Sequence, residues 1–196
     1  MDRRKSLLLP CRMETARLIL RPYVALDAAV LLQAITKERE RLGSILAEPV
    51  LAMTTVAEAE SLIARLHGAW KAAHQFIISL WEKTSSLLVG EAYLGGFEHT
   101  GQHAEIGIFL MQPFEGRGLA REALDACIRA AAQSLHVHTL HYRCDADNAR
   151  SQDLALRTGF SLMSEHGPTR VNRYGSGVPS VHFRLDLKMD AENRKA

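Results

Sequence analysis

The chain has 196 residues, with 24 lysines and arginines against 22 aspartates and glutamates. That length suits one domain with a sizeable core, and the balanced charge argues against a dedicated nucleic-acid-binding protein, which would present a dominant basic face. No apolar run approaches the ~20 residues that a membrane-spanning helix needs. The three cysteines are too few and too widely spaced for a disulfide framework or a metal site, so we expect a reducing, cytoplasmic location and no bound metal.

The domain limits are predicted from the two ends of the chain. Residues 1–12 are basic and irregular, and their run of three leucines is too short for a secretory signal. We therefore predict a mobile extension over residues 1–12, a single domain over residues 13–190 and a tail over residues 191–196.

A strand and two helices are predicted in the first third of the chain. The alternation over Arg17–Arg21 predicts a strand. Asp27 is placed to cap a helix over about Ala28–Leu42, and Thr55 with Glu58 three residues later forms a capping box for a second helix. The segment between the helices is predicted to be a loop. Three glutamates around it are predicted to form a solvated face: Glu38, Glu40 and Glu48.

An antiparallel meander is predicted in the middle of the chain. Its strands are Gln75–Trp81, Leu87–Phe97 and Ala104–Leu110, with turns at Glu82–Ser86 and Glu98–Gly101. In the last strand, alternate residues are apolar, which is typical of a strand with one buried face.

A glycine-containing turn separates this strand from a long helix. Pro113 cannot donate to a strand ladder, and Gly116 and Gly118 allow backbone angles that side chains forbid. Apolar residues then recur at four-residue spacing, which predicts a helix of about four turns: Leu119, Ala123, Cys127, Ala131 and Leu135. A helix N-terminus after such a turn attracts anions, because its first N–H groups are unpaired and the helix dipole is positive there. A tight strand-to-helix connection without a ligand is the alternative.

The remaining elements complete a sheet. Thr139–Cys144 is predicted to be a strand that returns parallel to Ala104–Leu110 through a right-handed crossover, and Asn148–Thr158 a short helix ended by Gly159. A closing hairpin with a long, partly cationic loop follows: strands Phe160–Glu165 and Val178–Leu187, and loop residues Arg170, Arg173 and Tyr174.

Four ordered stretches resemble the GNAT acetyltransferases. Glu115-Gly116-Arg117-Gly118-Leu119-Ala120 is similar to the family's coenzyme A pyrophosphate loop, Gln/Arg-x-x-Gly-x-Gly/Ala, with glutamate at the first position. Thr15–Pro22 resembles the opening strand, Leu88–Glu91 the third strand, and Asp147–Phe160 the Asn-x-x-Ser helix with its following Gly-Phe. The loop and the helix start after it resemble most closely the RimJ/RimL-like branch, which acetylates ribosomal-protein N-termini.

The resemblance implies an α/β (more strictly α+β) acyl-CoA N-acyltransferase fold. Its sheet is expected to be mixed, mostly antiparallel and of six to seven strands, flanked by about four helices and splayed between strands 4 and 5. Where two parallel strands diverge, backbone N–H groups lose their partners and can serve a ligand. The N–H of Leu110 is our candidate for polarising the thioester carbonyl.

The resemblance also implies a binding site for acetyl-CoA. Arg117 is expected to support the pyrophosphate, while Arg121 either pairs with a phosphate or is a surface arginine. Asn148 is expected to bond the pantetheine arm, to cap the helix that follows it, or both. Arg150 either reaches the 3′-phosphate or is simply exposed. The full set of expected coenzyme-binding residues is Ile108, Phe109, Leu110, Glu115, Gly116, Arg117, Gly118, Leu119, Ala120, Arg121, Asn148 and Arg150.

Two catalytic residues are predicted. An α-amine, with a pKa of about 7.7–8.0, needs only a weakly placed base to become neutral at pH 7, and Glu105 is our candidate, with His103 and His141 as runners-up. Ser151 is expected to donate a hydrogen bond to the departing thiolate. The alternatives are a structural strand carboxylate and a helix-surface serine. The family often uses a tyrosine for the second role, and Asn148–Thr158 contains none.

The predicted function is direct acetyl transfer from acetyl-CoA to a primary amine, with a protein N-terminal α-amine as preferred acceptor. A small-molecule amine (amino acid, polyamine or antibiotic) is the alternative within the class, and a coenzyme A-binding module without catalysis is the alternative outside it. A nucleotide-binding P-loop is disfavoured, because no Lys-Ser/Thr follows the glycines. We expect a monomer or homodimer with no nucleic-acid or membrane partner.

Overall fold

A mixed eight-stranded sheet forms the framework of the part of the chain that the computed structural model describes, which comprises residues 9–43, 45–97, 102–171 and 177–187. The strands are β1 (Met13–Glu14), β2 (Leu18–Arg21), β3 (Gln75–Glu82), β4 (Leu88–Gly95), β5 (His103–Leu110), β6 (Thr139–Asp145), β7 (Ser161–Val171) and β8 (Gly177–Asp186). The helices are α1 (Ala28–Glu38), α2 (Glu48–Leu51), α3 (Val56–Lys71), α4 (Leu119–Leu135) and α5 (Ala149–Arg157).

The strand order is β1-β2-β3-β4-β5-β6-β8-β7, and β5 and β6 run parallel while their neighbours pair antiparallel. The predicted meander, the parallel return through α4 and the closing hairpin are therefore confirmed. In the described residues the sheet has eight strands rather than six or seven, because the two-residue β1 adds an unpredicted strand at one edge. The predicted turn at Glu98–Gly101 lies outside the described residues.

Four local predictions were wrong in detail. Helix α1 ends at Glu38 rather than Leu42, and the expected loop after it contains α2. Asp27 does not cap α1 with its side chain, because its carboxylate binds both terminal nitrogens of Arg21, at 2.6 and 2.9 Å. Arg170 lies in β7 rather than in a loop. The other predicted loop residues, Arg173 and Tyr174, lie outside the described part of the chain. The capping box of α3 is present as predicted.

The core is built from the apolar stripe of α4 and the buried residues of the central strands. Helix α4 packs against β2, β4 and β5, whereas α1 and α3 pack against each other and against β4 and β3 respectively. The predicted four-residue repeat is the buried stripe of α4: Leu119, Ala123, Cys127, Ala131 and Leu135. Burial of such a stripe removes apolar surface from water, which is the main stabilisation available to the fold.

Strands β5 and β6 diverge after a short paired segment. Their register pairs are His103 with Thr139, Ala104 with Leu140, and Glu105 with His141. β5 continues to Leu110 and β6 to Asp145 without further pairing between the two among the described residues. The predicted splay is therefore present, and it opens towards the end of β5 that leads into the glycine turn.

The N-terminal segment makes one contact that the sequence did not indicate. The side chain of Leu9 is only 2 % exposed and belongs to the main core cluster. Residues 1–8 lie outside the described part of the chain, so the extension and the domain limits remain predictions.

Replacing Gly90 with alanine is expected to lower the free energy of unfolding by about 3 kcal/mol, at the upper end of the usual cost of overpacking. A Cβ at this position in β4 would lie 2.3 Å from the carbonyl oxygen of Phe109 and 2.9 Å from the Cα of Leu110, so backbone would have to move. Urea unfolding measures the change. Gly107→Ala is the matched control, since a Cβ there meets nothing within 4 Å; equal effects of the two variants would contradict the prediction.

Candidate active site

The turn between β5 and α4 presents a row of backbone donors. Gly116 and Gly118 have φ angles of +73° and +75°, in the left-handed region that favours glycine, and Gly118 is the N-cap of α4. Within the described part of the chain, the N–H groups from Gly116 to Arg121 have no hydrogen-bond acceptor. Unpaired amides at the positive end of a helix dipole form a ready-made anion site.

Glu122, in the first turn of α4, holds this helix start against β2. Its carboxylate accepts from the backbone N–H and the Nε of Arg17, both at 2.7 Å, and from the hydroxyl of Thr15. Burial would raise the pKa of Glu122, but the bonds from Thr15 and Arg17 outweigh burial and lower it. Arg17 also donates to the carbonyl oxygen of Arg117 at 2.8 Å. The turn is therefore tied to the sheet by its carbonyl and by Glu122, and its N–H groups remain without a partner among the described residues.

Glu115, at the position where the sequence departs from the family pattern, joins two arginines from distant parts of the chain. Its two carboxylate oxygens accept from Arg41 and from Arg150, each at 2.8 Å. Arg41 follows α1 and also donates to the carbonyl oxygen of Leu110, whereas Arg150 belongs to the first turn of α5. We call this Arg41–Glu115–Arg150 group the ionic bridge. It connects the end of β5 with α5, the helix that follows β6.

Glu38 extends this network and was wrongly predicted to lie on a solvated face. Its residue is 9 % exposed, and its carboxylate accepts from Arg41 and from the backbone N–H of Gln112 at 3.0 Å. The end of α1 is thereby fixed to the start of the glycine turn. The signal in the sequence was the i,i+3 spacing of Glu38 and Arg41, which places the two side chains on one face.

The two arginines predicted near the pyrophosphate have protein partners. Arg117 donates to Glu82 at 2.6 Å, and its guanidinium lies 5.5 Å from the centre of the Phe114 ring. Arg121 is exposed and lies 3.8 Å from Asp125, one turn further along α4. The structure therefore places full positive charges beside the row of amides, with the charge of Arg117 already compensated by Glu82.

The end of β5 exposes backbone groups to the splay. The N–H of Met111 donates to Val89 of the neighbouring strand β4. Because backbone groups alternate along a strand, the N–H and C=O of Leu110 point the other way, towards β6. Those of Ile108 point into the splay as well, whereas Phe109 pairs with β4. The expected coenzyme-binding residues of β5 thus differ: Leu110 can offer its N–H, since Arg41 already binds its carbonyl oxygen, Ile108 can offer backbone groups, and Phe109 only its half-buried ring.

Four side chains lie close together where β6 leads into α5. Asn148 caps the helix, since its Oδ1 accepts from the backbone N–H of Ser151 at 3.1 Å. The Ser151 hydroxyl lies 2.7 Å from that of Tyr142 on β6. Cys144, two residues further along β6, is near enough for the Ser151 hydroxyl to oppose the rise that burial causes in the pKa of its thiol. These residues border the splay from the side opposite β5.

Glu105 lies at the last paired position before the splay. Its side chain is 36 % exposed, and its carboxylate is 3.2 Å from the guanidinium of Arg143 on β6. Its register partner is His141. It is therefore a partly accessible carboxylate with a cation beside it.

A row of three histidines crosses β5, β6 and β8 next to Glu105. His103 Nδ1 is 3.5 Å from His141 Nε2, and His141 Nδ1 is 2.9 Å from His182 Nε2. Burial, helped by the neighbouring cations, lowers the pKa of both His141 and His182. The runner-up bases His103 and His141 are thus neighbours of Glu105. The third histidine, His182, was not predicted to lie beside them, because β8 is distant in sequence. No group of metal-binding geometry occurs among the described residues.

Glu91 on β4 is a titratable residue that the sequence did not single out. It pairs in register with Phe109 and lies beside the buried hydroxyl of Tyr23, although the two groups do not make a hydrogen bond of ordinary geometry. Burial raises the pKa of Glu91 to about 7, against a small opposing effect of Tyr23. The sequence indicated this site only weakly, through the position of Glu91 among the apolar residues of β4.

Glu91→Gln is expected to remove a pH dependence of stability. The pKa of Glu91 is about 7 in the folded protein, against an ordinary value of 4.5 in the unfolded chain. Proton binding by Glu91 therefore favours the folded state fully below pH 4.5, and this contribution is lost as the pH rises towards 7. Between pH 5 and pH 8 the variant should therefore gain about 1–3 kcal/mol relative to the natural protein, given 1.36 kcal/mol per pKa unit. Urea unfolding at four pH values measures the gain; parallel curves for the two proteins would contradict the prediction.

Comparison with known protein families places this geometry in context. Residues 17–161 match the family described as acetyltransferase (GNAT) domain. A ribosomal-protein-serine acetyltransferase of Escherichia coli (strain K12) is 36 % identical over 75 residues, which are 38 % of this chain and 42 % of that protein. A ribosomal protein uS5-alanine N-acetyltransferase of the same organism is 31 % identical over 91 residues, 46 % of this chain and 47 % of that protein. The chain thus spans less than half the length of these curated relatives.

Solved structures resemble the chain over nearly its whole length. A putative ribosomal-protein-serine acetyltransferase from Vibrio cholerae is 27 % identical, with a TM-score of 0.74 over 92 % of this chain and 99 % of that one. A ribosomal α-N-protein acetyltransferase in complex with coenzyme A has a TM-score of 0.79 at 19 % identity, over 93 % of this chain and 99 % of that one. At that identity the second likeness concerns the fold alone. No helix in the described ranges has the length and apolarity needed to cross a membrane.

Proposed function

Because the chain belongs to the acetyltransferase (GNAT) domain family, we propose that it transfers an acetyl group from acetyl-CoA directly to the N-terminal α-amine of a protein. The observation that carries this proposal is the row of unpaired amides from Gly116 to Arg121, which lies at the mouth of the splay between β5 and β6. A diphosphate held there would direct the thioester of the same molecule into the splay. The ribosomal proteins on which the two curated relatives act support a protein acceptor.

The coenzyme-binding residues would act mainly through their backbone. The amides of the turn and of Leu119 and Ala120 would hold the pyrophosphate, because the helix dipole favours negative charge there. The Leu110 N–H would bond the thioester oxygen, where negative charge develops in the transition state. Asn148 keeps its side-chain NH₂ for the pantetheine arm, since its oxygen already accepts from Ser151.

The chemical step would use one residue on each side of the splay. Glu105 would take the proton of the acceptor amine, directly or through water, because it is a partly exposed carboxylate at the last paired position before the splay. Ser151 would donate a hydrogen bond to the departing sulfur, whose thiol has a pKa of about 8.5 and needs little acid help. No covalent acetyl-enzyme is required, because the amine can attack the bound thioester itself.

An acceptor panel tests the proposed function. The full-length protein is incubated with acetyl-CoA and either peptides with N-terminal serine or alanine or small amines (amino acids, polyamines, aminoglycosides), and acetylated products are identified by mass spectrometry. We expect acetylation of peptide α-amines and none of their lysine side chains. If only small amines were acetylated, the acceptor would be a small-molecule amine rather than a protein N-terminus. Coenzyme A binding without any acetyl transfer would support the non-catalytic module.

We further propose that the protein acts in the cytoplasm on newly made proteins, with neither nucleic acid nor membrane as a partner. The nearly balanced charge supports this assignment, because a basic face for nucleic acid is not expected from it. Sedimentation velocity with and without coenzyme A would decide between a monomer and a homodimer.

A further inference from the structure

We propose that Tyr142 is a positioning residue for acetyl transfer, whose hydroxyl holds the hydroxyl of Ser151 so that Ser151 donates its hydrogen to the departing sulfur of coenzyme A. This inference rests on the proposed function of Ser151. Tyr142 would provide the phenol group that α5 lacks, and it lies on the neighbouring strand β6.

The position of Tyr142 is fixed by packing. The residue is 2 % exposed, and its ring lies 5.7 Å from the ring of Phe160, at the other end of α5. Its oxygen is 2.7 Å from the Ser151 oxygen, a normal distance for a hydroxyl pair. Ser151 is fixed independently, since its backbone N–H donates to the Asn148 cap. Both hydroxyls are therefore held in place before any substrate arrives.

The burial of Tyr142 decides the direction of this hydrogen bond. A buried donor that lacks an acceptor costs free energy, and Ser151 is the acceptor within reach among the described residues. Burial also raises the pKa of Tyr142 to about 12, so the phenol keeps its proton. When Tyr142 donates to Ser151, the single O–H of Ser151 must point elsewhere, and its residue is partly exposed at the border of the splay.

Sulfur is already a neighbour of this hydroxyl. Cys144 lies two residues beyond Tyr142 on β6, and the Ser151 hydroxyl opposes the rise that burial causes in the pKa of its thiol. A thiolate entering the splay would be a stronger acceptor than this neutral thiol, because hydrogen bonds to charged groups are roughly twice as strong. The Ser151 hydrogen would then turn to the charged sulfur.

The proposed step is balanced without proton loss from either hydroxyl. As the tetrahedral intermediate collapses, the bond between the acyl carbon and sulfur breaks and its electron pair stays on sulfur. Ser151 donates a hydrogen bond to that pair, and Tyr142 continues to donate to Ser151. The proton of the amine leaves through Glu105, and the thiolate later takes a proton from water.

A double-mutant cycle on the full-length protein tests the proposal, with kcat and the KM for acetyl-CoA measured at saturating acceptor. Ser151→Ala should lower kcat about 30-fold, as expected for the loss of a hydrogen bond to a charged group. Tyr142→Phe should lower kcat about 5- to 10-fold, with the KM changed less than about twofold. In the Ser151→Ala background, Tyr142→Phe should have no further effect on kcat.

A merely structural role of Tyr142 predicts a different result. Its effect would then be additive with that of Ser151→Ala, or would fall on the KM, and either outcome would overturn the proposal, as would an unchanged kcat in Tyr142→Phe. Thr139→Val is the matched control, because it removes another buried hydroxyl of β6, one that donates to Asp186. If Tyr142→Phe does not fold, Tyr142→Met is used in the same cycle. The cycle can be run with whichever amine the acceptor panel identifies, so a wrong acceptor class would not affect it.

Discussion

Glu105→Gln is expected to lower kcat/KM for the acceptor about 100-fold at pH 7, the lower end of the range for loss of a general base. The effect should be at that end because an α-amine has a pKa of about 7.7–8.0 and is already partly neutral. The glutamine keeps the size of the side chain and its place next to Arg143, so coenzyme A binding should be unchanged. Steady-state kinetics with a peptide acceptor and calorimetric titration with coenzyme A measure the two quantities.

The pH dependence of the Glu105→Gln defect makes the test specific. At pH 9 most of an α-amine is neutral without help, so the defect should shrink to within about tenfold. A defect of the same size at every pH would mean that Glu105 positions the substrate instead, and an unchanged activity would direct attention to His103 and His141. Glu14→Gln is the matched control: Glu14 is another strand carboxylate paired with cations, Arg12 and Lys83, at the far edge of the sheet.

Gly118→Val is expected to raise the Kd for coenzyme A about 100-fold or more. Gly118 has a φ of +75°, and a β-branched residue held there would cost about 1–3 kcal/mol of strain. The chain can relieve this strain by rotating the N-cap, which would turn the amides of the first turn of α4 away from the phosphates. An affinity loss of 100-fold corresponds to about 2.8 kcal/mol.

Two measurements separate this local effect from a general loss of stability. Thermal unfolding without ligand should show only a small loss of stability, because Glu122 and Arg17 still anchor the helix start. The variant should therefore remain folded at the assay temperature. Gly68→Ala is the matched control, since a Cβ there meets nothing within 4 Å and Gly68 lies in the last turn of α3. Unchanged coenzyme A affinity in folded Gly118→Val would contradict the role of the turn.

The sequence predicted best where local chemistry decides the structure. The capping box at Thr55, the change of period after Gly118 and the cap at Asn148 depend on residues three or four positions apart. The parallel return of Thr139–Cys144 followed from the long helix before it, because a helical crossover connects parallel strands. The family resemblance, rather than periodicity, supplied the splay and the expected coenzyme-binding residues.

The residues that were missed depend on contacts between distant parts of the chain. Arg41 reaches Glu115 over 74 positions, and His182 reaches His141 over 41. Tyr142 is only nine positions from Ser151, yet the contact requires the turn between β6 and α5 to bring the two together. Glu91 needed knowledge of its burial. None of these features has a period or a motif, so only the folded geometry identifies them.

The ionic bridge has a consequence for how an anionic ligand would enter. Glu38 and Glu115 together balance the charges of Arg41 and Arg150, so the entrance attracts a distant polyanion less than two unpaired guanidinium groups would. Encounter would therefore be only weakly accelerated by long-range attraction, and added salt would slow it little. A diphosphate would instead be selected at short range by the backbone N–H groups of the turn, which are uncharged and would recognise it by their direction rather than by charge.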